Sequence, residues 1–114
     1  MAINAANTTV VNVTIANGAT TSDAASLTSG STPVAIITPS SLTGTAFTLQ
    51  ASIDGATYVP VYDITGSAYS IPVGTSRYVA LPPGDLAGVR YLKVVSGSTE
   101  AADRTIGIVA RQVA

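Results

Sequence analysis

The side chains of this chain that could act chemically are six carboxylates, a single lysine and five tyrosines. The carboxylates are Asp23, Asp54, Asp63, Asp85, Glu100 and Asp103. Two carboxylates across a cleft would suit glycoside hydrolysis, and Lys93 would be the base of a Ser/Lys dyad. Asp54 or Asp63 could bind calcium together with backbone carbonyl oxygens. The chain has no His and no Cys, which excludes zinc sites built on them, Cys or His catalysis, and disulfides.

Structural roles explain these groups more simply. Asp54 precedes a glycine in a turn, Asp85 follows Pro-Pro-Gly, and Asp103 lies at the entrance of a strand. Lys93 stands in an alternating strand, which places it on the solvent face. The glycine-containing segment 84–88 lacks the lysine and the strand-to-helix context of a phosphate loop. We therefore predict that the protein is not an enzyme and holds neither a cofactor nor a metal ion.

The tyrosines are the strongest candidates for contact with a partner. Tyr58 and Tyr62 fall on one face of one strand, separated by Pro60. Exposed aromatic rings on a β face can stack on sugars or anchor a protein interface, whereas rings at sheet edges only fill space. We predict that Tyr58, Tyr62 and Tyr78 contact a partner, with a glycan as the alternative ligand.

The shortage of charge excludes several classes of function. Lys and Arg total 5 and Asp and Glu total 6, which gives a net charge of −1. Five scattered cations cannot displace counterions from a phosphate backbone, so we expect no nucleic-acid partner. Ser, Thr, Pro and Gly interrupt every long uncharged stretch, so we expect no membrane span. The first residues lack both a basic leader and an apolar stretch, so we also expect no signal peptide.

The dominant pattern along the chain is alternation with period two, broken by Gly, Pro, Asn and Asp. Thr, Val and Ile make up one third of the residues, and these β-branched types favour strands. We predict strands at residues 8–15, 33–38, 46–53, 57–63, 68–73, 77–81, 89–95 and 104–113, and a weaker element at 24–27. About eight strands without a convincing helix indicate an all-β domain, an antiparallel β-sandwich or jelly-roll-like fold over residues 10–114.

Turn residues set the expected boundaries between these strands. Asn17-Gly18 and Asp54-Gly55 supply the positive φ of tight turns, and the second joins the strongest hairpin in the chain. Pro33 and Pro39 bound one strand and should lie at a sheet margin, because proline lacks the ladder donor. Asp85 is expected to cap a single helical turn.

The scarcity of charge also indicates how the surface is used. Thr, Ser, Ala, Asn and Gln cover the outside in place of Lys and Glu, and burying such groups avoids the desolvation penalty of burying charge. Such a surface suits permanent assembly. Residues 1–9 carry no charge and little apolar bulk, so we predict a flexible N-terminal arm that contacts a partner through Asn4, Asn7 and Thr8.

Residues 47–63 read FTLQASIDGATYVPVYD, with a Ser, an Asp-Gly turn, an aromatic residue and Pro-Val. This hairpin resembles that of small β-sandwich virion proteins of tailed bacteriophages. Residues 77–83 (RYVALPP) and 89–97 (VRYLKVVSG) fit the same kind of protein, so the resemblance covers about residues 46–113. The hairpin is also similar to that of discoidin-like carbohydrate-binding sandwiches, but this chain lacks their cysteine pair and their tryptophan.

The phage resemblance implies a head decoration (cement) protein, made in the host cytoplasm and located on the capsid surface of the virion. Its implied partners are the major capsid protein and further copies of itself, as a trimer or a dimer. A carbohydrate-binding module and a tail or collar adaptor are the alternatives. The resemblance transfers no functional residue, because such proteins bind through broad surfaces.

Overall fold

Alternating β-branched residues form strands throughout the part of the chain that the computed structural model describes, residues 8–27, 31–82 and 84–112. Within these ranges there are nine strands and no helix. The strands are β1 (Thr8–Ile15), β2 (Ala25–Ser26), β3 (Ser31–Ile37), β4 (Ala46–Ser52), β5 (Val59–Pro60), β6 (Ile71–Pro72), β7 (Tyr78–Ala80), β8 (Tyr91–Ser96) and β9 (Arg104–Gln112). The prediction of an all-β fold is confirmed.

The strands form two antiparallel sheets. A four-stranded sheet has the order β1-β9-β3-β7, and a five-stranded sheet has the order β2-β8-β4-β5, with β6 also paired to β4. The pairs are nested, because β1 pairs with β9, β2 with β8, β3 with β7, and β4 with β5 and β6.

The two sheets share one hydrophobic core. The four-stranded sheet contributes Val13, Ile15, Ile36, Ile106 and Ile108, and the five-stranded sheet contributes Ala25, Phe47, Leu49, Ile71, Leu92 and Val94. These residues are the inward members of the alternating patterns, so each strand buries one face and turns the other away from the core. This is a sandwich-like arrangement.

Pro33 departs from its expected position. We predicted it as the start of a strand at a sheet margin, but it lies inside β3 and is paired with Ala110 of β9, while the pairing of β3 with β7 begins only at Ala35. The register of β3 against β9 shifts between Pro33 and Ala35, so Val34 is an extra residue in the ladder. A bulge of this kind tolerates a residue without an N–H, which is why the strand continues through the proline.

Two other predictions need correction. The strands expected at 57–63 and 68–73 shrink to the two-residue β5 and β6, which pair with different parts of β4. The helical turn expected at Asp85 is a hydrogen-bonded turn over residues 84–88. The Asp85 carboxylate does not cap it but accepts a hydrogen bond from the Tyr69 hydroxyl at 2.9 Å. That bond and burial of the ring raise the pKa of Tyr69 to about 12, burial being the larger cause.

One buried carboxylate, Glu100, ties the ends of several elements together. It accepts hydrogen bonds from the amides of Thr43 and Gly44 at 2.9 Å, from the Ser96 hydroxyl at 2.7 Å and from Arg104 Nε at 2.9 Å. Burial by itself raises the pKa of Glu100, but these four donors outweigh it and lower the pKa to about 2. Glu100 is therefore a structural anion that fastens the 38–45 loop to β8 and β9.

Candidate interaction surface

The side of the four-stranded sheet that faces away from the core is here called the outer face, and two cross-strand rows form its centre. One row runs through Val10, Val109, Ala35 and Ala80, and the next runs through Asn12, Gly107, Ile37 and Tyr78. Every member of both rows is uncharged. The alternation that places Val13 and Ile106 inside thus assembles a second apolar surface outside.

Three large apolar side chains of the outer face are open to solvent. The exposed fractions are 51% for Val10, 38% for Ile37 and 63% for Tyr78. Val109 between them is almost fully covered, at 3%. A contiguous exposed patch of this kind typically marks a site of protein contact.

Because Gly107 has no side chain, residues of the two neighbouring strands can approach each other above β9. A Cβ at this position would lie 3.2 Å from Val10 Cγ1 and 3.3 Å from Ile37 Cβ, so the two side chains occupy the space above the glycine. Apolar groups from both sides therefore border β9 here, with the Asn12 Oδ1 beside them at 3.5 Å from the same point.

Arg111 is the single charged side chain that β1, β3, β7 and β9 place on the outer face within the described ranges. It lies at one end of the face, between Thr8 of β1 and Thr32 of β3 in the register. Its Nε is buried and has no hydrogen-bond partner among the residues that the structure describes. The centre of the outer face is consequently free of charge.

The outer edge of β1 adjoins this face. At one end of that edge the Thr14 N–H donates to the Asp23 carboxylate at 2.7 Å, and the Thr14 carbonyl accepts the Asp23 N–H at 3.2 Å. Backbone groups of alternate residues point to the same edge of a strand, so Thr8, Val10 and Asn12 also direct their N–H and C=O groups there.

The three tyrosines predicted to contact a partner do not come together. Tyr58 and Tyr62 lie on the hairpin beside β4 in the five-stranded sheet, whereas Tyr78 lies in β7 on the other sheet. Lys93 Nζ sits 4.3 Å from the centre of the Tyr58 ring, so a cation already occupies that ring face. Tyr62 is 60% exposed. The fold thus separates Tyr78, on the outer face, from the other two.

Of the three residues through which the N-terminal arm was predicted to contact a partner, the structure describes only Thr8. Asn4 and Asn7 lie outside the described residues. Thr8 is in β1, paired with Arg111, and Thr9 is paired with Ala110. At Thr8 the predicted arm has therefore already become a strand.

The exposed carboxylates serve turns. The Asp54 carboxylate accepts hydrogen bonds from Thr57 N–H, Ala56 N–H and the Ser52 hydroxyl, which lower its pKa to about 2. The Asp63 carboxylate accepts from Thr65 and Ser67, which also lowers its pKa. The turn role predicted for Asp54 is confirmed. Across the described part of the chain, no three His, Cys, Asp or Glu residues cluster to hold a metal ion.

An apolar cavity of about 610 Å³ opens beside the turn after β4. The side chains of Ala51, Ile53, Val59 and Val89 line it, and Ile53 is 75% exposed. Asp54 is the one ionisable residue in its wall, and its carboxylate is already engaged by the turn. The cavity therefore offers apolar contact, without a second carboxylate that could act with Asp54.

No protein-family model, curated protein or solved structure matches this chain. Within the described residues, none forms a helix long and apolar enough to cross a membrane.

Proposed function

We propose that this chain is a non-enzymatic structural protein of a tailed-phage virion, which decorates the outer surface of the head and stabilises it. The observation that carries the proposal is the outer face, where Val10, Ile37 and Tyr78 are exposed around an uncharged centre. Interface cores contain few charged residues, because burying an unpaired charge is costly. They are also enriched in aromatic residues. The sequence resemblance of residues 46–113 supplies the class of partner, a capsid subunit.

The energetics favour many weak contacts over one strong contact. Full burial of a large apolar side chain contributes roughly 1.5–3 kcal/mol, and these three side chains are already partly buried. Their completed burial therefore contributes about 3 kcal/mol per copy before the cost of association. A decoration protein that contacts several subunits at once binds more tightly than any single contact would allow. Once one contact has formed, the effective concentration at the others is high.

The nested strand pairing supports the same proposal. We assign the fold as a jelly roll, counting β5 and β6 as one interrupted edge strand beside β4. In this assignment the first strand pairs with the last (β1 with β9) and the second with the second-last (β2 with β8). A jelly roll, in which one long hairpin is rolled up, has this order of pairing. Jelly rolls occur in viral capsid proteins and in lectins, so this fold is compatible with head decoration but also with other functions. The outer face is the feature that favours decoration.

The test is the copy number of the chain in purified particles. Quantitative mass spectrometry should find it in a fixed ratio to the major capsid protein, in numbers comparable with the capsid subunits. A few copies per particle would assign it to the tail or collar and overturn head decoration. Absence from particles would overturn the virion role altogether.

A further inference from the structure

The free edge of β1 is the longest edge in the described part of the fold. The other edge strands, β2, β5, β6 and β7, are two or three residues long, and β5 and β6 each include a proline. β1 has eight residues, TTVVNVTI, without a proline and without a charge. Natural proteins usually protect an edge by shortness, proline, a bulge or lysine, because an open edge pairs with other strands. β1 has none of these protections.

The open part of this edge has a defined end. Asp23 occupies the backbone N–H and C=O of Thr14. Thr8, Val10 and Asn12 direct their backbone groups to the same edge, and no described residue forms a hydrogen bond with those groups. Among the described residues, three N–H donors and three carbonyl acceptors therefore stand in a row without a partner, with Val10 at the centre.

We infer that β1 pairs antiparallel with β1 of a second copy of this chain, joining two four-stranded sheets into one eight-stranded sheet across a two-fold axis at Val10. This register uses the whole open stretch, since Val10 then faces Val10 of the second copy and Thr8 faces Asn12. The pairing uses the edge of β1 and a second copy of the chain, whereas the proposed capsid contact uses the outer face and a capsid subunit, and Val10 belongs to both surfaces.

A second copy fits this edge because the strand is electrostatically compatible with itself. In an isologous contact the residues near the two-fold axis lie close to their own copies, so like charges there would repel. β1 contributes none. The nearest cation on the outer face, Arg111, pairs with Thr8 at the far end of the strand. Strand geometry separates the two copies of Arg111 by about 19 Å, beyond the Debye length of about 8 Å at physiological salt.

The pairing also extends the outer face. Val10 ends the apolar row that runs through Val109, Ala35 and Ala80. Across the axis the same row resumes in reverse order, so the dimer presents one continuous uncharged face of twice the width. The exposed side of Val10 is then covered by its own copy.

A pair of single-cysteine variants tests the register, because the natural chain has no cysteine. Cα atoms of a hydrogen-bonded antiparallel pair lie about 5.5 Å apart, within the range that a disulfide spans. Val10→Cys should therefore form a covalent dimer rapidly under mild oxidation of the purified protein. Thr14→Cys, exposed on the same face of the same strand, is the matched control. The two copies of that residue lie about 27 Å apart in this register, so cross-linking should be at least tenfold slower.

Equal cross-linking of both variants, or of neither, would overturn the inference. Amide exchange in the unmodified protein provides a second readout that needs no mutation. Raising the protein concentration should slow exchange at Val10 and Asn12 at least tenfold, whereas Val11, bonded to β9, is protected throughout. Exchange at Val10 that does not change with concentration would also refute the pairing. Because no capsid is present in either experiment, the result is independent of the proposed virion role.

Discussion

Val10 of β1 and Ile37 of β3 both border the space above Gly107 of β9, although β9 separates their two strands. A Cβ on Gly107 would lie within 3.3 Å of both side chains. The glycine thus lets two apolar residues from non-adjacent strands form one surface. That surface has no charged residue at its centre, which is the basis of the functional proposal.

Ile37→Lys should abolish retention on phage heads. The substitution places a charge at the centre of the outer face, and a buried unpaired charge costs several kcal/mol in an interface. Because Ile37 is already 38% exposed, the free energy of unfolding should fall by no more than about 1 kcal/mol. Co-sedimentation with heads and urea denaturation measure the two effects.

Ile64→Lys is the matched control, since Ile64 is fully exposed in the turn between Asp63 and Gly66, away from the four-stranded sheet. It should leave both measurements unchanged. Loss of head binding by both lysine variants would show that binding depends on overall charge and not on the outer face.

Tyr62→Ala separates decoration from sugar recognition. Tyr62 is exposed on the five-stranded sheet, on the other side of the core from Ile37. The decoration proposal predicts unchanged co-sedimentation with heads and no change in a glycan-array profile. A specific glycan signal of the natural protein that this variant loses would support a carbohydrate-binding module in its place.

Glu100→Gln should lower the stability in a pH-dependent manner. The folded state lowers the pKa of Glu100 from 4.5 to about 2, so its ionised form stabilises the fold above pH 4.5. That contribution disappears as the pH falls from 4.5 towards 2. At pH 7 the variant should be less stable by about 3 kcal/mol, because Arg104 and the amides of Thr43 and Gly44 lose their anion.

Urea denaturation at several pH values measures this difference. The difference in the free energy of unfolding should shrink as the pH approaches 2. Asp54 titrates in both proteins, so its contribution cancels in this difference. A difference that stays constant from pH 7 to pH 2 would contradict the role assigned to Glu100.

Gly44→Ala should destabilise the protein by about 2 kcal/mol. A Cβ at Gly44 would collide with the Ser96 hydroxyl and would lie 3.2 Å from Glu100 Oε2, within a buried hydrogen-bond cluster. Gly84→Ala is the control, because nothing lies within 4 Å of its added Cβ. Thermal denaturation of the two variants should therefore differ by several degrees, and equal midpoints would contradict the tight packing around Glu100.

Period-two alternation predicted the long strands well, because each of them buries one face. The bounds predicted for the first strand agree with those of β1, and the turn at Asp54-Gly55 follows from its residues, with Gly55 at φ +78°. Short strands were less predictable. β5 and β6 pair with two separate parts of β4, on the edge opposite β8, so their short lengths depend on tertiary pairing and not on local sequence.

The candidate surface was only partly predictable. The scarcity of charge is visible in the composition, but the neighbours of Ile37 depend on the strand order β1-β9-β3-β7. Val10 and Ile37 are 27 residues apart, and Gly107 is 70 residues beyond Ile37. Tyr78 was identified for its residue type, yet it was grouped with Tyr58 and Tyr62, from which the sheet order separates it. Glu100 was weighed only as one of six carboxylates, because its partners Thr43 and Gly44 are remote in sequence.

The salt dependence of head binding tests the central claim most directly. An interface built from uncharged side chains should hold the protein on purified heads equally well in 0.1 M and 1 M NaCl, and Ile37→Lys should be absent from heads at both. Release of the natural protein by 1 M NaCl would show that charged groups hold it there and would contradict the account.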